Sequence, residues 1–480
     1  MRLPLHPDRS ASATYLKLII PAIALALGTA VPLFGQVEKV EAYVKAEMAR
    51  THTPGVSVAV VQRDRLVFTQ GYGMASIELS VPATSNTVYE TLSITKQFTA
   101  AAVMVLVDDG KIDLDHPVSD YLANLPSAWS SVTVRHLLTH TSGIADYTGV
   151  PGWGQSARLD RPPFELVKAV FQTPLLFQPG AREKYSNTNY YLLGMVIEKI
   201  SGMAYGDFLA QRIFGPLGMT NTRMNNYAAI VSGRAAGYHR SNNNEIQNAD
   251  FISPSQKWAA GGVISSVADL AKWLIALDAG SLLKHETLEQ MWAAGKLNDG
   301  SRTDYGLGNE LDSDRGHRVV GHEGSGMGFN ASMIYLPDDH LGVVVLGNLS
   351  QASTLAMAHH VAAIYLPGIS DEANTGITDS EPKLTELLRQ TLIDAAQGKA
   401  DPARLTPDAR PQLLRLLQTN GPRMLGPLGT LDSLILLEDS LKNGAHTRRY
   451  RAVFSNGQRI IWEVLFASDG TIAGLAPRPE

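Results

Sequence analysis

The chain has 480 residues, of which 44% are hydrophobic and 18% are charged, and its formal net charge is -5. This length exceeds what one ordinary core takes, so we expect a large domain and a smaller one. A net acidic chain without a long basic run argues against nucleic acid as a partner. The absence of cysteine excludes disulfides, thiolate metal ligands and a cysteine nucleophile.

The first 36 residues predict an export signal. Arg2, Arg9 and Lys17 precede an apolar run from Leu18 to Gly35, which ends among small residues. This run is about long enough to span a bilayer, so an uncleaved membrane anchor is the alternative. We therefore expect an exported protein, periplasmic or secreted, that is either released or anchored by this segment.

Strand and helix patterns predict one large domain over residues 37–366. Helical spacing of apolar residues up to Arg50 is followed by a β-hairpin in "PGVSVAVVQRDRLVFTQGYG". The chain is mostly helical in pattern from about Thr87 to Trp292, strands return in "HRVVGHEGSGMGFNASMIYLPDDHLGVVVLGN", and a last helix ends near Leu366. Distant strands should therefore complete one antiparallel sheet in an α+β fold.

The remaining chain predicts a linker and a separate small unit. Residues 367–382 are polar with Gly and Pro at their edges, as linkers often are. Residues 383–480 combine helical patterns with a hairpin turn at Asn456-Gly457, which indicates a small α+β domain. It carries no motif with assignable chemistry, so we interpret it as a packing or oligomerisation domain.

Ser93 and Lys96 form the pattern Ser-x-x-Lys in "TLSITKQFTA", at the start of an apolar run. The two residues lie one helical turn apart, so Ser93 could be a nucleophile with Lys96 as its base, or a simple helix cap. Ser281 and Ser380 also begin Ser-x-x-Lys matches. The pattern alone therefore does not decide between these alternatives.

Two further motifs follow in the chain. Tyr185 and Asn187 form Tyr-x-Asn at a predicted junction between a loop and a helix, where a helix cap is again the simpler interpretation. Further on, "GHEGS" places His322 and Gly324 on a predicted strand, where a glycine permits the close approach of a ligand.

In this order the three motifs resemble those of the serine β-lactamase and penicillin-binding-protein superfamily. The tyrosine resembles the branch of class C β-lactamase-like proteins, esterases and D-aminopeptidases. The stretches "GKIDLDHPVSDYL", "VRHLLTHTSGI" and "AAGGVISSVADLAKW" are also similar to that branch. The resemblance covers roughly residues 37–366. It implies a β-lactamase/transpeptidase-like fold, in which N- and C-terminal helices flank an antiparallel sheet beside a mostly helical subdomain.

The resemblance also implies a role for each motif residue. Ser93 would attack an acyl carbonyl and form an acyl-enzyme, with Lys96 or Tyr185 as proton acceptor. Asn187 would donate a hydrogen bond to Lys96 or to the substrate. The backbone N–H groups of Ser93 and Ser325 match the oxyanion hole of the family. No cofactor is implied, and no metal-ligand spacing is recognisable.

The third motif bears on the substrate. Where relatives have Lys-Thr-Gly, this chain has His322, Glu323 and Gly324, which offer less positive charge and one negative charge. This difference favours an amide or ester in a small molecule or peptide, and it predicts that His322 changes charge in the physiological pH range. The alternatives are a β-lactamase or D,D-carboxypeptidase, and a non-catalytic penicillin-binding-type binding or sensor protein. The oligomeric state stays open.

Overall fold

The computed structural model describes residues 31–241, 245–314, 316–369, 376–442, 445–456 and 458–478. The predicted export signal falls largely on residues 1–30, outside these ranges, and export stays a prediction. None of the helices within the described ranges is long and apolar enough to cross a membrane.

The described ranges contain helices and strands in the following chain order. The helices are α1 Val31–Thr51, α2 Thr95–Asp108, α3 Val134–Leu138, α4 Trp153–Ser156, α5 Pro163–Lys168, α6 Asn187–Ser201, α7 Tyr205–Leu209, α8 Trp258–Gly261, α9 Val267–Ala279, α10 His285–Met291, α11 Thr354–Tyr365, α12 Pro382–Ala396, α13 Arg410–Arg415 and α14 Gly421–Leu425. The strands are β1 Gly55–Gln62, β2 Arg65–Ser76, β3 Val81–Pro82, β4 Tyr89–Glu90, β5 Arg223–Met224, β6 Tyr238–Arg240, β7 Ile246–Asn248, β8 Val263–Ser265, β9 Glu310–Asp314, β10 His317–Gly326, β11 Phe329–Leu336, β12 Leu341–Gly347, β13 Leu431–Lys442, β14 Ala445–Phe454, β15 Arg459–Phe466 and β16 Ile472–Arg478.

A seven-stranded antiparallel sheet organises the large domain, with strand order β3-β2-β1-β12-β11-β10-β9. The early hairpin β1–β2 pairs with the late strand β12, so that Val56 lies opposite Gly347. The prediction that distant segments complete one sheet is therefore confirmed, and the fold is α+β as expected.

Both faces of this sheet are covered by helices, which explains why β1 is mostly apolar and buried from Gly55 to Val61. Val58 and Val60 lie in one cluster with Val40 of α1 and Val361 of α11. On the opposite face α9 packs closely on β12. The distance is so short that a Cβ added to Gly342 would lie 2.8 Å from the Leu274 side chain. The predicted arrangement of terminal helices on an antiparallel sheet is thus confirmed.

Helix α2 forms the centre of the helical subdomain. Its side chains are buried from Thr95 to Leu106, with Phe98 packed against Phe214 and Trp273. A helix that is buried on all sides fits the apolar run in its sequence. The buried helix holds the turn that precedes it, Leu92–Ile94, against strand β10 of the sheet.

The C-terminal unit is a four-stranded antiparallel sheet, β13-β14-β15-β16, with α12, α13 and α14 in the same core cluster. The end of the predicted linker contacts this unit: Ile377 N donates to Leu436 O at 2.9 Å, and the Asp379 carboxylate is 3.0 Å from the guanidinium of Arg448. At the other end, Ile369 is buried in the core of the large domain. The segment between the two units is therefore shorter than residues 367–382.

Candidate active site

Ser93 lies in a single 3₁₀ turn, Leu92–Ile94, directly before α2. The preceding Leu92 has φ +51°, a left-handed conformation that costs a leucine on the order of 1 kcal/mol or more. No side chain caps α2. The simple capping interpretation of Ser93 is therefore wrong, since its hydroxyl is used elsewhere.

The Ser93 hydroxyl is held between two polar side chains. Lys96 Nζ is 3.1 Å from Ser93 Oγ, and Tyr185 Oη is 2.9 Å from the same oxygen. Both distances lie within hydrogen-bond range. The structure thus brings the first two motifs together at one atom, which is the geometry that an activated serine needs.

Lys96 is completely buried, and its ammonium group has three oxygen partners. Besides Ser93 Oγ, it lies 2.9 Å from Asn187 Oδ1 and 2.7 Å from the carbonyl oxygen of Ala260. Burial lowers the pKa of Lys96 to about 7, against the opposing effect of the carboxylates of Asp146 and Glu310. A pKa near 7 is the value that suits a general base at neutral pH.

Tyr185 differs from Lys96 in its protonation state. Loss of hydration at the hydroxyl raises the pKa of Tyr185 well above its usual value. The side chain stays a neutral phenol near pH 7 and can pass a proton on without becoming a stable phenolate. His140 positions it: His140 O accepts from Lys184 N, His140 Nδ1 accepts from Ser186 N, and the two rings lie 4.3 Å apart.

Asn187 lies at the first position of α6, and its side chain is fixed on both sides. Its Nδ2 donates to Asp146 Oδ2 at 2.9 Å, and its backbone N donates to the same oxygen at 3.1 Å. Its Oδ1 accepts from Lys96. The expectation that Asn187 donates to Lys96 was wrong in direction, because its amide nitrogen is bonded to Asp146.

Strand β10 passes close to Ser93 at Gly324. A Cβ on this residue would lie 2.2 Å from Thr91 O and 3.2 Å from Ser93 N. Only glycine permits this approach. The neighbouring Ser325 is exposed and lines the cleft beside Ser93. The positions predicted for the oxyanion hole are therefore adjacent in the structure.

His322 lies on strand β10, as the sequence predicts, but its side chain is buried. Its ring is buried, with Nε2 2.9 Å from the hydroxyl of Tyr305 and Nδ1 2.5 Å from the carbonyl oxygen of Glu323. Burial, with the nearby charge of Lys96, lowers the pKa of His322 to about 3. The expectation that His322 titrates in the physiological range is therefore wrong for this structure.

A carboxyl group lies beside His322 in addition to the ammonium group of Lys96. Glu310 of β9 lies 3.6 Å from His322 Nδ1 and accepts from the backbone N of Glu323 at 3.3 Å. Burial raises the pKa of Glu310 to about 7 and also raises the pKa of Glu183. No lysine or arginine replaces the lysine of the family motif at this position.

A cleft of about 580 Å³ opens over Ser93. Asn187 and Ser325 line it near the nucleophile, while Tyr147 and Trp153 supply aromatic surface further along. This combination of an apolar wall with a few polar groups is typical of a small-molecule site. Within the described ranges, no group of three or more His, Asp or Glu side chains is arranged to hold a metal ion.

Sequence reasoning missed several residues that shape this site, among them Asp146, Glu310 and Tyr305. Asp146 stands two residues after "LLTHTSGI" and could have been noticed as an acid near a motif. The carbonyl of Ala260 in "AAGG" has no side-chain signal at all, because backbone groups are the same at every position.

The fold and this cluster of serine, lysine and tyrosine define the protein as a serine hydrolase. Residues 40–366 match the family model described as Beta-lactamase, and the chain belongs to that family.

Several known proteins are similar to this chain. It is 28% identical over 335 residues to "Penicillin-binding protein 4*" of Bacillus subtilis (strain 168), covering 66% of this chain and 73% of that protein. The octameric penicillin-binding protein homologue from Pyrococcus abyssi is 26% identical, with a TM-score of 0.63 over 92% of this chain and 98% of that one. D-amino acid amidase from Ochrobactrum anthropi SV3 is 26% identical, with a TM-score of 0.60 over 71% of this chain and 99% of that one.

Proposed function

We propose that the protein hydrolyses an amide or ester bond through an acyl-enzyme on Ser93. The observation that carries this proposal is that Lys96 and Tyr185 both lie within hydrogen-bond range of Ser93 Oγ. Ser93 gives its proton to the neutral amine of Lys96 as Oγ bonds to the carbonyl carbon. The leaving group then takes a proton as its bond to carbon breaks, and water later releases the acyl group as a carboxylic acid.

The division of labour between Lys96 and Tyr185 follows from their pKa values. Lys96, with a pKa of about 7, supplies a neutral amine near pH 7. Tyr185, with its raised pKa, relays a proton between Ser93, Lys96 and the leaving group. The backbone N–H groups of Ser93 and Ser325 stabilise the oxyanion, and losing one such donor typically costs about 3 kcal/mol.

The charges near Ser93 support an amide or ester substrate over a β-lactam. A β-lactam brings a carboxylate, and the position of the family's lysine holds the neutral His322 beside Glu310. A structural relative that is 28% identical is a D-stereospecific amidohydrolase from Streptomyces sp., with a TM-score of 0.59 over 70% of this chain and 99% of that one. β-Lactam hydrolysis is the second candidate, and turnover of a chromogenic cephalosporin distinguishes the two.

Covalent labelling tests the proposal. A fluorophosphonate probe should label Ser93, as mapped by mass spectrometry, and Ser93→Ala should abolish both labelling and hydrolysis of p-nitrophenyl acetate. Ser281→Ala is the matched control, because Ser281 begins the same pattern but its hydroxyl donates to the carbonyl oxygen of Ala276 at 3.5 Å. Undiminished hydrolysis by Ser93→Ala would refute the proposal.

A further inference from the structure

A second cavity, of about 220 Å³, adjoins the catalytic cleft. Four residues line both spaces, so they form a common wall: Asp250, Ile252, Lys257 and Met327. Met327 is 48% exposed at this wall, directly after the strand that carries Ser325. A substrate held at Ser93 can therefore extend over this wall into the second cavity.

Arg234 is a cation of the second cavity that forms no ion pair with a carboxylate of the described residues. Its guanidinium donates to Asn225 Oδ1 at 2.8 Å and lies 5.5 Å from the centre of the Tyr227 ring. Within the described ranges, no carboxylate approaches it within ion-pair distance. The guanidinium keeps free N–H groups, and a guanidinium matches a carboxylate particularly well.

The other charges of this cavity are already neutralised. Lys257 is ion-paired with Glu90, and both side chains are largely buried. Asp250 is paired with Arg158 at 2.7 Å. The uncompensated charge of the cavity is therefore the positive charge of Arg234.

Aromatic side chains surround the entrance of the cavity. The rings of Tyr227 and Phe251 lie 4.7 Å apart, and the two residues are 47% and 45% exposed. Val88, Ile264 and Phe329 add apolar lining. Exposed aromatic surface next to one fixed charge is typical of a site for an apolar group that ends in an anion.

We propose that this cavity is a second substrate subsite, which binds an apolar arm ending in a carboxylate through Arg234. This inference rests on the proposed function, because the arm belongs to a substrate whose acyl bond lies at Ser93. The charges at the other end of the catalytic cleft, near Tyr185, support this proposal. There His322 is neutral beside Glu310, so a carboxylate is bound better at Arg234 than near Tyr185.

Matched ester substrates test the subsite. p-Nitrophenyl monoesters of diacids from succinate to sebacate carry a terminal carboxylate, and the esters of the corresponding monoacids do not. We expect kcat/KM to favour the charged ester at one chain length in this series. Arg234→Gln should reduce that preference about ten- to a hundredfold, mainly through KM, because a hydrogen bond to a charged group contributes about 1.5–3 kcal/mol. Arg234→Lys, which keeps the charge, should retain part of the preference.

Two controls separate this inference from the proposed function. Arg65→Gln removes the same charge from the exposed first residue of β2 and should change nothing. p-Nitrophenyl acetate is too short to reach the subsite and should be hydrolysed equally by the parent and by Arg234→Gln.

A second series of esters carries the terminal carboxylate in the alcohol portion instead of the acyl portion. Comparing the effect of Arg234→Gln on the two series shows which side of the scissile bond enters the cavity. An Arg234→Gln variant that keeps every preference in both series would overturn the subsite while leaving hydrolysis at Ser93 intact. Failure of the parent to hydrolyse p-nitrophenyl acetate would instead overturn the proposed function.

Discussion

The imidazole of His322 and the hydroxyl of Tyr305 are joined by a hydrogen bond of 2.9 Å inside the protein. Since His322 Nδ1 faces the carbonyl oxygen of Glu323, this nitrogen carries the ring proton and Nε2 accepts from Tyr305. The neutral imidazole therefore stands at the position that corresponds to the lysine of the Lys-Thr-Gly motif compared above. This exchange removes a positive charge from the site.

The buried His322 should make the protein sensitive to acid. Its folded pKa of about 3 lies below the unfolded value of ~6.5. The unfolded chain therefore binds more protons between these values, and the stability contribution is complete above pH ~6.5 and is lost as the pH falls. We expect His322→Gln to reduce the slope of unfolding free energy against pH by up to ~1.4 kcal/mol per pH unit in this window. Urea unfolding from pH 4 to 7 measures it.

The control for this measurement is His116→Gln, because His116 is exposed on the surface. It should leave the slope unchanged. Equal slopes for the parent and His322→Gln would contradict the burial of His322.

The pH dependence of catalysis should report Lys96. We expect kcat/KM for a neutral ester to rise with pH through about 7, as Lys96 loses its proton. Glu310 raises the pKa of Lys96, so Glu310→Gln should move this rise to lower pH. Glu183→Gln serves as the control, since Glu183 is a nearby acid that does not act on Lys96. A rise that stays in place in Glu310→Gln would show that another group is the base.

Tyr185→Phe should keep the pH dependence but lose rate. Removal of a proton relay typically costs on the order of 10²–10⁴-fold, and we expect kcat to fall in that range. The rise near pH 7 should persist, because it belongs to Lys96. Loss of that rise in Tyr185→Phe would identify Tyr185 as the base. Steady-state kinetics with p-nitrophenyl acetate measure both quantities.

Gly324→Ala should damage the site through backbone displacement. The added Cβ would meet Thr91 O at 2.2 Å, which forces β10 and the turn before α2 apart. We expect hydrolysis to fall by about 10²-fold or more, since small displacements of catalytic groups have effects of this size. Gly154→Ala is the control, because no heavy atom lies within 4 Å of its Cβ position. Near-parent activity in Gly324→Ala would show that the strand can shift without consequence.

Truncation should locate the end of the catalytic domain at Ile369. A chain ending there keeps a residue that is buried beside α11, and it should still be labelled by the fluorophosphonate probe. A chain ending at Leu366 loses that contact and should unfold at a lower temperature. If both fragments fail to be labelled, the C-terminal unit is required for the catalytic domain to fold.

The motifs predicted most of the side chains in this site, because a side chain with a chemical role requires a particular residue type, which can be recognised in the sequence. Ser93, Lys96 and Tyr185 could be found since each needs one residue type at one spacing. The burial of His322 could not be foreseen, because it depends on Tyr305 and Glu310 in segments without a motif. The strand pattern of β10 was predictable. The burial of His322 under Tyr305 and Glu310 depends on the tertiary fold, which brings these segments together. The same is true of the carbonyl of Ala260.

The pairing of Val56 with Gly347 means that the sheet of the large domain cannot be completed until late in synthesis. The interior strand β1 is made early, but its partner β12 follows only after most of the large domain has been synthesised. Until then the hairpin β1–β2 presents an open, apolar edge, of the kind that leads to aggregation. Contacts so distant in sequence also slow folding, since a long loop must close before they form. The late strand β12 therefore sets the earliest moment at which β1 is protected.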